Sequence, residues 1–274
     1  MTARPDNRTR REFLAVTGGA ALSATFPAAA AAGQAPAPES ALARTRSTPV
    51  AQARTRVAMV GTGIRGTGMW GRDLVEGYSD VVEFVGLSDH NPGRLEYGRD
   101  YIGADCPTFV DFDEMMRATE PETLLVMTMD STHDDFIVRG MEHGANIVTE
   151  KPFTTDETKL QRILDAQRRT GRDIVVTHNY RYSPHRLRMK ELLMEGRIGR
   201  LTSVDFHWYL DIYHGAAYFR RWHGKERFSG GLFVHKACHH FDLLNWWIDS
   251  DPSVVFANGA LDHYGSNNAF RSTN

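Results

Sequence analysis

The chain has 274 residues, 41% of them apolar and 24% charged, with a formal net charge of −2. That is a globular composition, long enough for one large or two ordinary domains, and its near balance of charge argues against nucleic acid or an anionic membrane as partner. The two cysteines, Cys106 and Cys238, lie outside any C-x-x-C and form no disulfide framework, so they read as free buried thiols.

In "TRREFLAVTGGAALSATFPAAAAAG" the pair Arg10-Arg11 precedes Glu12-Phe13-Leu14, a short apolar stretch broken by Gly18, Gly19, Ser23 and Thr25, and a run of alanines. A membrane span needs about 20 consecutive, mostly apolar residues, which this core does not offer. Residues 1–32 resemble a twin-arginine signal peptide cut near Ala30 to Ala32. The resemblance implies the twin-arginine export machinery as a partner, a periplasmic or secreted product and no membrane contact in the mature form. Residues 1–32 carry +2, so the mature chain holds about −4. Residues 33–54, rich in Ala, Pro, Ser and Gln without apolar periodicity, read as a flexible linker.

From Arg56 the texture changes. Strand-like runs at 56–60, 81–89, 107–111, 123–128 and 146–152 alternate with helical patterns near 92–101, 111–118, 132–143 and 155–170. "VVEFVGL" and "TLLVM" are apolar on both faces, as parallel strands covered by helices require. The alternation predicts an α/β Rossmann domain with a doubly wound parallel sheet over 55–178. Asp156 and Glu157 open the fourth helix, Arg168 and Arg169 close it, and "DIVVTHNYRYSP" leads out as a further strand. Beyond it come a helix over 184–195, the turn Gly196 to Gly199, the alternating "RLTSVDFHWYLD" and a strand candidate at 252–264. These predict an α+β domain over 179–274 with a mostly antiparallel open sheet.

Gly61-Thr62-Gly63-Ile64-Arg65-Gly66 follows the first strand and opens a helix, the context in which a G-x-G-x-x-G loop cradles a diphosphate. Asp89 ends the second strand, where a carboxylate binds ribose hydroxyls and favours NAD; Arg94 nearby leaves NADP open. Glu150-Lys151-Pro152 closes a strand at the carboxyl edge of the sheet, where ligands of such sheets bind, and its proline suits a cis peptide. "VHKACHHFDLLNWW", residues 234–247, reads as one amphipathic helix with His235 and His239 on one face. The spacing is that of H-E-x-x-H, but Lys236 replaces the glutamate and no third ligand lies at a suitable distance, so no metal is expected.

The order of these elements, with Thr128 ending a strand and His133 opening a helix, resembles the family named for glucose-fructose oxidoreductase, inositol 2-dehydrogenase and the rhizopine catabolism protein (Gfo/Idh/MocA). The resemblance runs from about Arg56 to Asn258. It implies an NAD(P)-dependent oxidoreductase acting on a sugar or sugar derivative. It also implies that Lys151 touches cofactor and substrate hydroxyl, that Thr128 and His133 wall the cofactor, and that "NYRYSP", with Tyr180 and Arg181, links the domains. Cofactor candidates are thus Gly61, Gly63, Ile64, Arg65, Gly66, Asp89, Thr128, His133, Glu150, Lys151 and Pro152. Gly230-Gly231, His235, His239 and Asp242 fall on the family's pattern before its substrate helix.

Two departures stand out. His235 occupies the place of the family's usual aspartate, and "TMDST" replaces the common Thr-Pro after the fourth strand. An imidazole with an ordinary pKa of about 6.5 takes and returns protons near neutrality, so His239 is assigned as base. Lys151 is the positive group that lowers the hydroxyl's pKa, His235 binds substrate or acts as second acid/base group, and Asp242 orients His239 or pairs along the helix. The aromatic-rich segment 205–224 suits a carbohydrate pocket. From it His207, Tyr209, Arg220, Arg221 and Trp222 are expected against substrate, with Tyr180, Arg181, His235 and Lys236.

Free nicotinamide cofactor is scarce outside the cytoplasm, so an exported enzyme of this kind must hold its cofactor tightly and recycle it. Three readings follow: an oxidoreductase that reduces a second acceptor, an NAD-dependent glycoside hydrolase working by transient C3 oxidation and elimination, or a non-catalytic sugar-binding protein or inactive fragment. The resemblance implies further strands beyond Asn274, hence a C-terminally truncated chain, and pairing through the open sheet face implies a homo-oligomer.

Overall fold

The computed structural model describes residues 53–261, so the expected signal peptide, most of the linker and the last residues fall outside the described residues. β1 (Thr55–Val60) leads through a π-helical turn (Gly66–Arg72) into α1 (Asp73–Tyr78). β2 (Val82–Ser88), α2 (Pro92–Ile102), β3 (Thr108–Phe109), α3 (Phe112–Thr119) and β4 (Thr123–Val126) follow. After α4 (His133–Glu142) come β5 (Asn146–Thr149), α5 (Glu157–Thr170) and β6 (Ile174–Val176). The six strands pair in parallel in the order β3-β2-β1-β4-β5-β6. The winding reverses between β1 and β4, and the crevice outside their carboxyl ends is where ligands of such sheets bind.

Alternation along β1 explains the two cores. Ala58 and Val60 point to one face, with Leu124, Val126, Ile137, Met141 and Ile163 under α3, α4 and α5. Val57 and Met59 point to the other, with Leu74, Leu87, Leu95 and Ile102 under α1 and α2. Helix starts are fixed by acceptor side chains: Asn91, Asp111 and Asp156 accept from the backbone N–H of Arg94, Glu114 and Lys159. Asp156 is therefore the residue before the helix rather than part of its first turn.

Beyond the sheet, α6 (Pro184–Met194) and α7 (Ile212–Arg220) precede the short α8 (Glu226–Ser229) and α9 (Gly231–His235) and then α10 (Cys238–Ile248). Two local expectations are corrected. "RLTSVDFHWYLD" and residues 252–261 carry no strand among the described residues. Strand alternation survives in the first: Phe206 stacks on Trp208 at 6.1 Å, and His207 on Tyr209 at 6.3 Å. A ladder requires a neighbouring strand to satisfy its N–H and C=O groups, and the described chain supplies none.

The single helix expected over 234–247 is two helices broken at Lys236 and Ala237. The break has a polar cause. The Lys151 ammonium donates to the His235 carbonyl at 3.0 Å, the acceptor a continuous helix would offer to His239, whose N–H turns to Lys236 instead.

Candidate active site

The glycine loop divides its labour. Gly61 has φ +97°, and a Cβ there would lie 2.6 Å from the Met127 carbonyl oxygen; at Gly66 it would lie 2.1 Å from the Gly61 oxygen. Both glycines allow close packing of turn, strand and helix. A Cβ on Gly63 would meet nothing within 4 Å, which leaves open the approach a diphosphate needs. Ile64 beside it is 80% exposed.

Asp89 is buried at the end of β2 and accepts from Thr62 N at 3.0 Å and Asn91 N at 3.0 Å. Arg94 turns its guanidinium to that carboxylate at 3.6 Å. A carboxylate fixed at this edge, with the nearby cation engaged, fits a ribose 2′-hydroxyl and not a 2′-phosphate. The loop therefore fits NAD.

Glu150 ties the glycine-loop helix to the next motif, accepting from Arg65 Nε at 2.6 Å, Trp70 Nε1 at 3.0 Å and Lys151 N at 3.1 Å. The Lys151–Pro152 peptide is cis, as the sequence suggested. His133 is fully buried, with Nδ1 2.9 Å from the Pro152 carbonyl oxygen and Nε2 3.3 Å from that of Thr128. It braces the loop from behind and does not face the cleft, unlike the wall position expected of it.

A cleft of about 380 Å³ opens at this edge, between the sheet and the helices beyond residue 179. Arg65, Thr128, Glu150, Lys151, Tyr180, Trp222, His235, Lys236 and His239, all candidates named from the sequence, line it. Arg181 does not: it forms an ion pair with Asp242, whose carboxylate also faces His178 Nδ1 at 3.4 Å. Asp242 is thereby committed and does not orient His239. His207, Tyr209, Arg220 and Arg221 stand exposed and do not line the cleft: the first two lie in a segment that no neighbouring strand fixes, and the other two at the carboxyl end of α7 and just beyond it.

The cleft also holds residues that sequence reasoning did not single out. Asp130, from the "TMDST" loop, lies with Oδ2 2.5 Å from His235 Nδ1. Both are buried, at 3% and 7% exposure. The two departures from the family pattern, 105 positions apart, thus meet in space. Their joint occurrence is the signal that the sequence offers for the pairing. Met127, Asn179 and Tyr218 complete the lining with His214 and His223, which belong to the aromatic-rich segment 205–224 expected to form a carbohydrate pocket.

The electrostatics follow from burial. Lys236 donates to the Tyr180 hydroxyl at 2.7 Å, and neither it nor Lys151 is ion-paired among the described residues. Burial, reinforced by Lys151, pushes His239 down to about 2 and His235 to about 3. Burial and the neighbouring His235 bring His223 to about 4. At neutral pH these imidazoles are uncharged. His239 stacks on Tyr180 at 4.0 Å, and its Nδ1 is sealed without a hydrogen-bond partner. Burial drives Asp130 the other way, up to about 7.

A glycine loop at the switch point, a ribose carboxylate, and lysine and imidazoles at the same edge define a dinucleotide-binding α/β protein. The chain belongs to the Gfo/Idh/MocA oxidoreductase family: residues 55–178 match its NAD-binding Rossmann fold and residues 190–271 its C-terminal α/β domain. It is 42% identical to the "Putative oxidoreductase YteT" of Bacillus subtilis over 76% of this chain and 50% of that protein. It is 26% identical to the inositol 2-dehydrogenase of Rhizobium meliloti over 73% of this chain and 58% of the relative. The WlbA dehydrogenase of Chromobacterium violaceum, solved with NADH and UDP-GlcNAcA, aligns with a TM-score of 0.63 and 25% identity, covering 73% of this chain and 57% of that one. The chain spans about half the length of the curated relatives it matches.

Proposed function

We propose that the protein is an exported, NAD-dependent oxidoreductase that acts on a sugar or sugar derivative with a tightly held cofactor recycled within the site. The observation that carries this reading is the convergence of Lys151, His235 and His239 on one cleft beside the open Gly63 approach. A bound nicotinamide would supply the acceptor for the hydride of the substrate carbinol. The chain's own residues handle the proton. A neutral imidazole accepts it from the hydroxyl, and the Lys151 ammonium, held at the cleft by the His235 carbonyl, stabilises the alkoxide that forms. Tyr180 and Trp222 offer ring faces to a sugar.

Glycoside cleavage through transient oxidation is the second reading. It is favoured by two imidazoles in differently partnered environments, since elimination and rehydration need both an acid and a base.

The test is to denature the purified full-length protein, identify any released nucleotide, and assay free sugars and glycosides without added cofactor. NAD(H) release, with net oxidation only when an acceptor sugar is present, is the expected outcome. Aglycone release without net oxidation transfers support to the second reading, and absence of nucleotide overturns both. Gly63→Val, which places side-chain bulk in the open approach, should abolish nucleotide retention without unfolding the chain. Export is checked separately: Arg10→Lys/Arg11→Lys should keep the protein in the cytoplasm with its leader uncleaved.

A further inference from the structure

Resting on the oxidoreductase reading, we propose that Asp130 and His235 form a proton relay. His235 Nε2 takes the proton of the reacting hydroxyl while His235 Nδ1 passes its own to Asp130 Oδ2. The hydroxyl O–H and the Nδ1–H break, and Nε2–H and a carboxyl O–H form. One negative charge moves from Asp130 to the substrate oxygen beside Lys151. The ring stays neutral throughout.

Geometry is the first support. Nδ1 is committed to the carboxylate at 2.5 Å, both residues line the cleft, and Nε2 has no protein hydrogen-bond partner among the described residues. His239 has no such arrangement, since its Nδ1 is sealed without a partner and the nearby Asp242 belongs to Arg181.

The second support is the order of proton affinities. An imidazolium at His235 would sit buried among Lys151, Lys236 and His223, with Glu150 the one opposing charge acting on the ring besides Asp130. Asp130 is raised to about 7 by the same burial, against the pull of His133 and Lys151 and with Glu150 acting in the raising direction. Tyr218 faces the His235 ring at 5.4 Å, and the Cys238 thiol donates to the His235 carbonyl. A proton arriving at the pair therefore rests on the carboxyl group rather than on the ring. The pair titrates as a unit near pH 7, and titration exchanges tautomers. Ionised Asp130 holds Nδ1–H and leaves Nε2 a base; protonated Asp130 donates to Nδ1 and leaves Nε2–H an acid. One dyad thereby serves oxidation and the returning reduction.

The test uses the full chain in two arms. In the first, imidazole ¹⁵N NMR follows His235 from pH 5 to 9, assigned with His235→Gln. The wild type should exchange Nε2–H for Nδ1–H around pH 7 without an imidazolium signature, and Asp130→Asn should abolish the exchange. An imidazolium forming near pH 6.5, or an exchange that persists in Asp130→Asn, overturns the relay. In the second, Asp130→Asn should lower kcat on the order of 10²-fold with KM nearly unchanged and flatten the rise of kcat through pH 7. The double variant with His235→Gln should be no worse than His235→Gln alone. Multiplying losses, or a pH profile that Asp130→Asn leaves intact, overturns the proposal. If no sugar is oxidised by the wild type, the oxidoreductase reading fails while the NMR arm still decides the relay.

Discussion

The half of the chain that carries the glycine loop and the half that carries the two cleft imidazoles are stabilised differently. In the first, Ala58, Met59, Leu87, Leu124, Ile137 and Ile163 are all at 0% exposure on the two faces of one sheet. In the described residues beyond 179, Leu243 alone among apolar side chains is fully buried, and Tyr209, Tyr213, Val254 and Phe256 are 85% to 91% exposed. The second half is tied to the first largely by polar contacts at the cleft: Lys151 on the His235 carbonyl and Asp130 on the His235 ring. The difference teaches that one half is ordered by its own apolar burial, while the other takes much of its order from the junction where the chemistry sits.

The largest test of that contrast is a pair of truncations. Leu124→Ala empties a site between β4 and the helices above it and should cost about 2–5 kcal/mol. Phe256→Ala removes a side chain 91% exposed and should change stability by no more than about 0.5 kcal/mol. Urea unfolding of both variants checks this. Equal losses would mean that Phe256 is buried in solution and would dissolve the contrast.

Acidification probes the junction itself. His235 and His239 are held neutral by burial, below their ordinary range, so the stability they contribute is complete above the unfolded value of about 6.5 and is lost as pH falls toward the folded values. Asp130, raised to about 7, acts oppositely: its contribution is complete below the unfolded value of about 3.9 and is lost as pH rises through 7. Burial holds His223 down as well, so the histidines of the junction outweigh the one carboxyl and stability falls as pH drops below 6. Hydrogen exchange at pH 7 and pH 5 should show residues 231–248 losing protection while β1, β4 and β5 keep theirs. His239→Asn should reduce the slope. Uniform loss across both halves would show that the junction is not the acid-sensitive element.

What was legible in the sequence follows the same division. The sheet, its helices and the loop that fits NAD could be read because each depends on local signals: two-faced apolar strands, a glycine loop after the first strand, and a carboxylate ending the second. Helix limits fell within a residue or two, since Asn91, Asp111 and Asp156 stand where acceptor caps belong. The cleft could be read only in part. Lys151, His235 and His239 announced themselves, but Asp130 is one aspartate in a polar loop until the fold brings it across to His235. The helix break at Lys236 was hidden for the same reason, because Lys151, 84 positions before His235, takes the His235 carbonyl that would have continued the helix. Arg181 was misplaced because nothing local shows that Asp242 claims it.

The smallest effect concerns how helices begin in the two halves. At α5, Asp156 Oδ1 accepts from Lys159 N at 3.0 Å, filling one of the donors a helix leaves without a partner. At α6, Ser183 stands in the corresponding place, but its hydroxyl donates to the Tyr180 carbonyl at 3.1 Å and caps no helix N–H. Asp156→Ala should therefore destabilise the protein by about 1 kcal/mol, and Ser183→Ala by clearly less, although both residues belong to the favoured capping types. Thermal unfolding of the two variants measures the difference. Acceptor geometry rather than residue type sets the size of each effect, so equal shifts would show that the Ser183 hydroxyl turns to the helix in solution. The link from Tyr180 to α6 would then be looser than the Ser183–Tyr180 bond implies, and so would the placement of the ring that stacks on His239.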